Sequence, residues 1–353
     1  MSTCTMSARW FRSLVFLLVN FTLLSLSQDM STDSTPTSLR FSTYNLRYDS
    51  MPDNITVAES IAALPDPLVQ ETFLALSGEQ PWSARRLRVS EHILSEDTVI
   101  SGFQEALVRQ VTDLAELFGD DWDWVGVGRD DGVAAGEFSP LFYKKSAVKL
   151  ISNDTFWLSL TPFEPSKYPG AGSFRICTVA NFSLTTDAKT TFTVLNTHLD
   201  DQSDMQRRVG ASLILTRARY EAVKTRSPVF VTGDFNSPST GNSSGAYEII
   251  TGASAPVAIN ATFAAKYDVG NQLSDFKMLD FRGQAPRQYV SNNFATYTGF
   301  NLPTDTSDWE RIDFIFGGSN LGWTSDAYKV GSSLSDDGTL ASDHRPVFAD
   351  VTI

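Results

Sequence analysis

Asp343 and His344 are adjacent residues of the types that perform acid–base or metal chemistry. They lie in residues 342–346, between two β-prone runs. A carboxylate beside a titratable imidazole at a strand end can hold a metal ion or move a proton. The same five residues also fit a polar turn with solvated charges. Residue type alone leaves both interpretations open.

Other predicted strands also end in polar residues of the kinds that metal-assisted hydrolysis uses. These residues are Asn45, Glu105, His198, Asp234 and Asn236. Taken singly, each fits a turn former, a structural histidine or a charge at a helix start. Together they favour a phosphoryl-transfer site, because Mg²⁺ prefers carboxylate and amide oxygens, while hydrolysis needs a base and hydrogen-bond donors. Side-chain alternation predicts that Asp234 and Asn236 share one face of their strand.

Strands dominate the elements that must position these residues. Apolar or alternating runs predict strands over 39–45, 99–105, 124–128, 175–184, 190–197, 228–233, 312–316 and 346–353. The runs 141–143 and 148–150 are predicted to pair as a hairpin. Helices are predicted over 82–96, 106–118 and 206–225. This pattern indicates an α+β domain of two packed sheets with helices outside.

Residues around the first predicted helix are expected to border the substrate site. Trp82, Arg85 and Arg86 are predicted to form one rim of a cleft. Residues 49–81, which prolines and a glycine punctuate, are predicted to be a surface insertion that could form another wall.

The N-terminal residues have the pattern of a secretory signal peptide. Arg9 and Arg12 precede an apolar run, and small residues follow it near position 27. The run is short for a membrane span of about 20 residues, so secretion is favoured over a membrane anchor. We therefore predict a signal peptide over 1–27, a flexible lead-in over 28–38 and one domain over 39–353.

Two further features bear on export and stability. After the predicted leader, five N-glycosylation sequons fit a secreted glycoprotein, at Asn54, Asn153, Asn181, Asn242 and Asn260. Cys177 is the only cysteine after the predicted leader, so no internal disulfide is available. Its apolar neighbours predict inert packing rather than a nucleophile.

The charge balance restricts the class of substrate. The formal net charge is −13, and removing residues 1–27, which carry two arginines and no acidic residue, makes it −15. So acidic a chain disfavours sequence-independent binding of long nucleic acid, which depends on Lys and Arg. It does not exclude phosphate chemistry at a site that carries its own cation.

The order of the polar motifs resembles the endonuclease/exonuclease/phosphatase superfamily, whose members include deoxyribonuclease I. The motifs are Tyr44-Asn45, Gln104-Glu105, Asn196-Thr197-His198-Leu199-Asp200, Gly233-Asp234-Phe235-Asn236, Arg311-Ile312-Asp313-Phe314-Ile315 and Ser342-Asp343-His344-Arg345-Pro346-Val347. Residues 136–140, 155–159 and 296–300 are most similar to a secreted fungal and microbial branch. The resemblance implies a four-layer αββα sandwich with an Mg²⁺ or Mn²⁺ site at one end of its two sheets.

The resemblance also implies a metal site and a water-activating site. Glu105 would be the principal metal ligand, with Asn45 and Asp343 beside it. Asp234 and Asn236 would orient or deprotonate the attacking water and steady the phosphoryl group.

The remaining roles concern the phosphoryl group and the substrate. His344, held by Asp313, would be a general base or a phosphate-stabilising imidazolium, so Asp234 and His344 both remain candidates for the base. His198 would donate to a phosphate oxygen with Glu137 as its acidic partner. The other substrate-contact positions are Tyr143, for phosphate, and Arg175.

The expected function is that of a secreted, Mg²⁺-dependent hydrolase of phosphomonoesters or phosphodiesters. Its substrate would be a phosphorylated small molecule, a lipid headgroup or a nucleic acid, so a DNA or RNA nuclease and a sphingomyelinase-type enzyme are the alternatives. A non-catalytic binding protein is disfavoured because every core motif position is filled. The sequence indicates no obligate protein partner, and we expect a monomer.

Overall fold

The computed structural model describes residues 36–64, 78–301 and 303–353. The predicted signal peptide and residues 28–35 of the predicted lead-in lie outside them. The strands are β1 Ser38–Asn45, β2 Ile100–Gln104, β3 Trp122–Val125, β4 Leu141–Lys144, β5 Val148–Trp157, β6 Ile176–Leu184, β7 Thr191–His198, β8 Val229–Asp234, β9 Met278–Asp280, β10 Asp313–Gly318, β11 Thr324–Val330 and β12 Val347–Thr352. The helices are α1 Val57–Ala62, α2 Trp82–Ser95, α3 Val108–Phe118, α4 Asp204–Thr225, α5 Gly245–Ile250, α6 Ala261–Lys266, α7 Phe281–Gln284 and a 3₁₀ helix, Arg287–Tyr289.

The described strands form two mixed six-stranded sheets. The first has the order β11-β12-β1-β2-β4-β3 and the second the order β5-β6-β7-β8-β10-β9. Strands β1 and β2 are parallel, as are β7 and β8. In each parallel pair the two C-terminal ends therefore meet at one edge of the sheet, where Asn45 pairs with Gln104 and His198 pairs with Asp234.

Three apolar cores separate four layers. Phe41, Phe192 and Phe230 belong to the core that the two sheets share. Trp82 packs with Phe103 in a second core, where α2 and α3 cover the first sheet. A third core joins α4 to the outer face of the second sheet. The predicted αββα sandwich is thus confirmed, and burial of each large side chain stabilises it by about 1.5–3 kcal/mol.

A polar layer joins the sheets beneath their polar strand ends. Asn196 Nδ2 donates to the carbonyl oxygens of Phe103, at 2.8 Å, and Pro140, at 2.9 Å. Gln104 Nε2 donates to Asn196 Oδ1 at 2.8 Å. Gly102 permits this close approach, since a Cβ there would lie 2.5 Å from Asn196 Oδ1. The layer fixes the separation of the two sheets.

The predicted hairpin between 141–143 and 148–150 is wrong. β4 pairs with β2 and β3 in the first sheet, whereas β5 pairs with β6 in the second. The chain crosses from the first sheet to the second at residues 145–147. In the second sheet β5 pairs along its length with β6, which supplies more hydrogen bonds than a short hairpin with β4 would.

The predicted rim is also wrong, because Trp82, Arg85 and Arg86 have no exposed surface. Helix α2 turns this side toward β1 and α3, and Trp82 Nε1 donates to Asp113 Oδ2 at 2.9 Å. Cys177 is buried and unpaired, as predicted. Among the described residues, no helix has the length and apolar character needed to cross a membrane.

Candidate active site

The polar strand ends of both sheets border one cavity of about 450 Å³. Eight of the predicted site residues line it: Glu105, Glu137, Arg175, His198, Asp234, Asn236, Asp343 and His344. Asn45 and Asp313 lie directly behind this lining and hydrogen-bond to it. The structure therefore brings together ten residues that are dispersed over 300 positions of sequence.

Asn45, at the end of β1, connects the two sheets. Its Nδ2 donates to Glu105 Oε1 at 3.0 Å and to Asp234 Oδ2 at 2.9 Å. The backbone N–H of Arg47 donates to Asn45 Oδ1 at 2.9 Å, which fixes the orientation of the amide. The backbone N–H of Tyr48 donates to Glu105 Oε2 at 3.1 Å. Glu105 follows β2 in a left-handed conformation, with φ of 59°, that turns its side chain toward the cavity.

The carboxylates of Glu105 and Asp343 form the acidic side of the cavity. Burial raises the pKa of Asp343, and the charge of Glu105 raises it further, although His344 opposes the shift. Among the described residues, neither carboxylate has a basic nitrogen within 4.0 Å to neutralise it. The charge of Arg47, which also lines the cavity, acts on both carboxylates only from a greater distance. Hard oxygen ligands without a close ion-pair partner fit Mg²⁺ or Mn²⁺. With Asn45, these two residues could hold such a cation.

A second group of potential ligands lies deeper in the site. Asp234, Asp313 and His344 each offer one atom, and these atoms all lie within 4.8 Å of one another. This buried set could hold a metal ion only with His344 deprotonated. Two of its members are already hydrogen-bonded to each other, since His344 Nδ1 lies 2.8 Å from Asp313 Oδ2.

The Asp313–His344 pair determines the charge of the imidazole. Asp313 starts β10 opposite Asp234 on β8, and His344 lies just before β12. Burial alone would lower the pKa of His344, but the charges of Asp313 and Asp234 raise it to about 10. His344 Nε2 lies 3.6 Å from Asp234 Oδ2. The imidazole is therefore protonated at neutral pH and can donate from Nε2.

Asp234 is a buried carboxylate held by its neighbours. The backbone N–H of Asn236 donates to Asp234 Oδ1 at 2.9 Å, and Asn45 holds Oδ2. Burial, together with the charge of Asp313, raises the pKa of Asp234 to about 7. A carboxylate whose pKa lies near neutrality is suited to accept a proton from water.

His198, at the end of β7, is a neutral imidazole. Burial lowers its pKa well below the ordinary value, and the charges of Arg175 and Arg129 lower it further. Its Nε2 lies 3.0 Å from Asn236 Nδ2 and 3.6 Å from Asp234 Oδ2.

Glu137 lies near the other ring nitrogen of His198. His198 Nδ1 is 4.0 Å from Glu137 Oε2, and Glu137 also forms an ion pair with Arg129. Burial and the charge of Glu105 raise the pKa of Glu137 to about 7. The predicted His198–Glu137 pair is thus brought together, but not within hydrogen-bond distance.

Arg175 and Tyr143 differ in their placement. Arg175 lines the cavity, with Nη2 2.8 Å from Asp201 Oδ1 and with Nη1 buried and unpartnered. Tyr143 lies in the core between the sheets, and its hydroxyl donates to Asp123 Oδ2 at 3.3 Å. It does not line the cavity, which contradicts the predicted phosphate contact. The alternation of β4 points Tyr143 toward Phe182 instead.

Sequence reasoning missed several residues of the cavity wall. These include Arg47, Tyr48, Ser173, Tyr297 and Glu310. Arg47 and Tyr48 directly follow the Tyr44-Asn45 motif, which was the available signal. Tyr297 pairs through its backbone with Glu310 and, separately, with His344. It lies in the motif over 296–300, but no spacing in the sequence indicates these contacts.

Comparisons with known proteins find one matching family and several similar structures. The model of the Endonuclease/Exonuclease/phosphatase family matches residues 42–344. An endonuclease/exonuclease/phosphatase from Bacteroides vulgatus is 29% identical, with a TM-score of 0.67 over 89% of this chain and 98% of that one. A family protein from Bacteroides thetaiotaomicron is 25% identical, with a TM-score of 0.66 over 91% and 99% of the two chains.

A mannosyl-6-phosphatase from Bacteroides thetaiotaomicron shares the fold. It is 24% identical, with a TM-score of 0.66 over 89% of this chain and 100% of that one. Comparison with curated protein sequences gives no significant match.

Proposed function

Because the chain belongs to the endonuclease/exonuclease/phosphatase family, whose members hydrolyse phosphoesters, we propose that it is a divalent-metal-dependent phosphoesterase that uses Mg²⁺ or Mn²⁺. One observation carries the proposal. The carboxylates of Glu105 and Asp343, neither of which forms an ion pair among the described residues, share a cavity with Asp234 and the Asp313–His344 pair. Oxygen ligands, a base and a hydrogen-bond donor are the groups that such a hydrolysis needs.

The metal would be held by Glu105 and Asp343, with Asn45 beside them. A bound Mg²⁺ or Mn²⁺ would polarise a phosphoryl oxygen and offset its negative charge. Glu105 directly follows β2, and Asp343 lies shortly before β12. Strand β1 lies between β2 and β12 in the sheet, so the separation of the two carboxylates depends on how β1 is held.

Asp234 is proposed as the base. Its carboxylate accepts a proton from water while the water oxygen attacks phosphorus and the leaving-group oxygen departs. Asn45 Nδ2 and the Asn236 N–H orient Asp234 for this step. His344 is the weaker candidate for the base, because its Nδ1 is bonded to Asp313 and its ring is protonated at neutral pH.

His344 is proposed to contact the phosphoryl group, whereas His198 Nε2 accepts from the Asn236 amide and is not free to donate to a phosphoryl oxygen. Both rings place Nε2 3.6 Å from Asp234 Oδ2, so they flank the position where water would be activated. Protonated His344 donates to a phosphoryl oxygen and stabilises the charge that develops there. The amide of Asn236 holds His198 in place.

The substrate is proposed to be a compact phosphorylated molecule. The arginines that line the cavity are Arg47 and Arg175, and each is already paired with an acidic residue, Glu79 and Asp201 respectively. Glu310 adds further acidic surface to the cavity. A long nucleic acid backbone would find few free cations here.

Secretion is a separate proposal that rests on the sequence pattern of residues 1–27. Sequons at Asn54, Asn153 and Asn242 have exposed asparagines, which fits glycosylation of an exported protein. N-terminal sequencing of protein from the culture medium tests this proposal. A mature chain that starts near residue 28 is expected, and retention of residues 1–27 would contradict it.

A substrate panel tests the proposed chemistry. It comprises mannose 6-phosphate, an inositol phosphate, sphingomyelin, a chromogenic phosphodiester, DNA and RNA, each with Mg²⁺, Mn²⁺ or EDTA. We expect EDTA to abolish turnover of a small phosphoester and Mg²⁺ or Mn²⁺ to restore it. Preferred cleavage of DNA or RNA would refute the proposed substrate class. Turnover that EDTA does not affect, or turnover of none of these compounds, would refute metal-dependent hydrolysis.

A pair of variants tests whether the hydrolysis takes place in the cavity. Glu105→Gln removes one proposed ligand charge, and we expect at least about a hundredfold loss of kcat/KM. Glu221→Gln is the matched control, since Glu221 is buried in α4 and pairs with Arg217 outside the cavity. Equal losses in the two variants would show that the cavity has no special role.

A further inference from the structure

Arg85 is a buried cation that the proposed chemistry does not use. It lies in α2, has no exposed surface, and all five of its N–H donors reach main-chain carbonyl oxygens. Nε donates to Gln80 O at 2.9 Å, Nη1 to Leu46 O at 2.6 Å and Ala341 O at 2.9 Å, and Nη2 to Arg47 O at 3.0 Å and Tyr48 O at 3.3 Å. Among the described residues, no carboxylate lies within 4.0 Å of this guanidinium.

Three of these carbonyls belong to Leu46, Arg47 and Tyr48, which are consecutive residues whose backbone contacts two of the proposed metal ligands. The N–H of Arg47 donates to Asn45 Oδ1, and the N–H of Tyr48 donates to Glu105 Oε2. Arg47 also has a left-handed backbone, with φ of 56°. Arg85 thus fixes peptide units that in turn orient Asn45 and Glu105.

The fourth carbonyl belongs to the segment that carries the other proposed ligand. Ala341 precedes Ser342, whose Oγ donates to Asn45 O at 2.7 Å and accepts the N–H of His344 at 3.1 Å. Asp343 lies between these two anchored residues. One guanidinium therefore connects the segment after β1 to the segment before β12.

We propose that Arg85 is a positioning residue that sets the separation of the Glu105 and Asp343 carboxylates and thereby the affinity of the site for a divalent cation. The inference rests on the proposed metal dependence. Lysine cannot replace Arg85, because an ammonium has three donors on one atom and lacks the planar fork that reaches both segments.

Arg86 provides a matched control in the same helix. It is equally buried, and it donates to Asp113 Oδ2 at 2.8 Å, Ile55 O at 3.1 Å and Ser60 Oγ at 2.6 Å. These partners lie in α1, in α3 and before α1, and they do not line the cavity. Arg86→Lys should therefore weaken the helical layer without changing the ligand geometry.

The test measures Mn²⁺ binding to the full chain by the electron paramagnetic resonance signal of free Mn²⁺. Wild type, Arg85→Lys and Arg86→Lys are compared at a temperature where near-UV circular dichroism shows each folded. We expect Arg85→Lys to weaken Mn²⁺ binding by about 10- to 100-fold. Arg86→Lys should bind within about twofold of wild type.

A milder variant keeps the test decisive if Arg85→Lys does not fold. Gln110 is a neutral residue of α3, and its Nε2 donates to the same Arg47 carbonyl at 3.0 Å. Gln110→Met removes this bond without removing a buried charge, and it also removes the bonds that Gln110 Oε1 accepts from the N–H groups of Asp49 and Leu107. We expect Mn²⁺ binding about three- to tenfold weaker, the scale of the one hydrogen bond that reaches the Arg47 carbonyl.

The outcomes separate this inference from the proposed function. Mn²⁺ binding to Arg85→Lys, or to Gln110→Met where that variant is used, within twofold of wild type would overturn the positioning role and leave metal dependence intact. An equal loss in Arg86→Lys would overturn it too, because the effect would then reflect general loosening. A wild-type protein that binds no Mn²⁺ would overturn the proposed function first, and this inference with it.

Discussion

Replacing Asp313 by asparagine should reduce catalysis without altering the shape of the site. The Asp313 carboxylate accepts from His344 Nδ1 at 2.8 Å, and both side chains are buried, so water screens their interaction little. An asparagine oxygen can still accept this hydrogen bond, but it carries no charge to stabilise the imidazolium. His344 would then lose the nearer of the two carboxylates that stabilise the positive charge which we propose it presents to the phosphoryl group, while Asp234 stays 3.6 Å from its Nε2.

The size of the loss follows from the kind of bond that is weakened. A hydrogen bond between charged groups contributes about 1.5–3 kcal/mol. If this contribution is made mainly in the transition state, Asp313→Asn should lower kcat/KM by about 10- to 150-fold. The KM should change little, because the substrate carries less charge at the reacting oxygen than the transition state does.

The assay is steady-state hydrolysis at saturating Mg²⁺, with Asp280→Asn as the matched control. Asp280 ends β9, and its carboxylate oxygens lie 2.7 Å from two Arg311 nitrogens, outside the cavity lining. That variant should lose thermal stability but keep kcat/KM within about twofold. An Asp313→Asn enzyme within threefold of wild type would refute the reasoning, as would an Asp280→Asn enzyme that is equally impaired.

Three further predictions test other parts of the structure. Tyr143→Phe should keep wild-type kcat/KM, since the Tyr143 hydroxyl hydrogen-bonds to Asp123 away from the cavity. A tenfold loss of kcat/KM would instead support the predicted contact between Tyr143 and phosphate. Glu105→Gln should no longer gain thermal stability from added Mn²⁺ in a melting experiment, whereas wild type should; equal shifts would contradict the ligand role. Burial lowers the pKa of His92 to about 4, so folding favours its neutral form and stability falls as pH drops from about 6.5 toward 4. Urea unfolding at about pH 6.5 and about pH 4 measures the free energy of unfolding. Between these pH values wild type should lose about 1–3 kcal/mol more of it than His92→Gln, and equal losses in the two proteins would contradict this.

The fold and most of the site could be predicted because their signals are local. Strand ends are visible as polar residues after apolar runs, which located Asn45, Glu105, His198 and Asp234. Their convergence also depends on topology, since parallel pairing brings the strand ends of each sheet to one edge. The motif order supplied that topology through the family resemblance.

The remaining features depend on contacts that leave no local pattern. The sequence predicts that Arg85 lies on the polar, exposed side of its helix. Its hydrogen-bond partners are instead backbone carbonyls, which every residue type provides. Asn196 lies inside an apolar strand and connects the sheets by the same kind of bond. The strands β4 and β5 were misassigned as a hairpin because sequence shows the strands but not the sheet that each one joins.

Attack of water on phosphorus, assisted by Asp234, is the central claim, and isotopic labelling tests it most directly. Hydrolysis of the best substrate in H₂¹⁸O with Mg²⁺ should place one ¹⁸O in the phosphoryl product and none in the alcohol. Asp234→Asn should lower the rate at least about a hundredfold. Label in the alcohol, or a variant within threefold of wild type, would contradict the account.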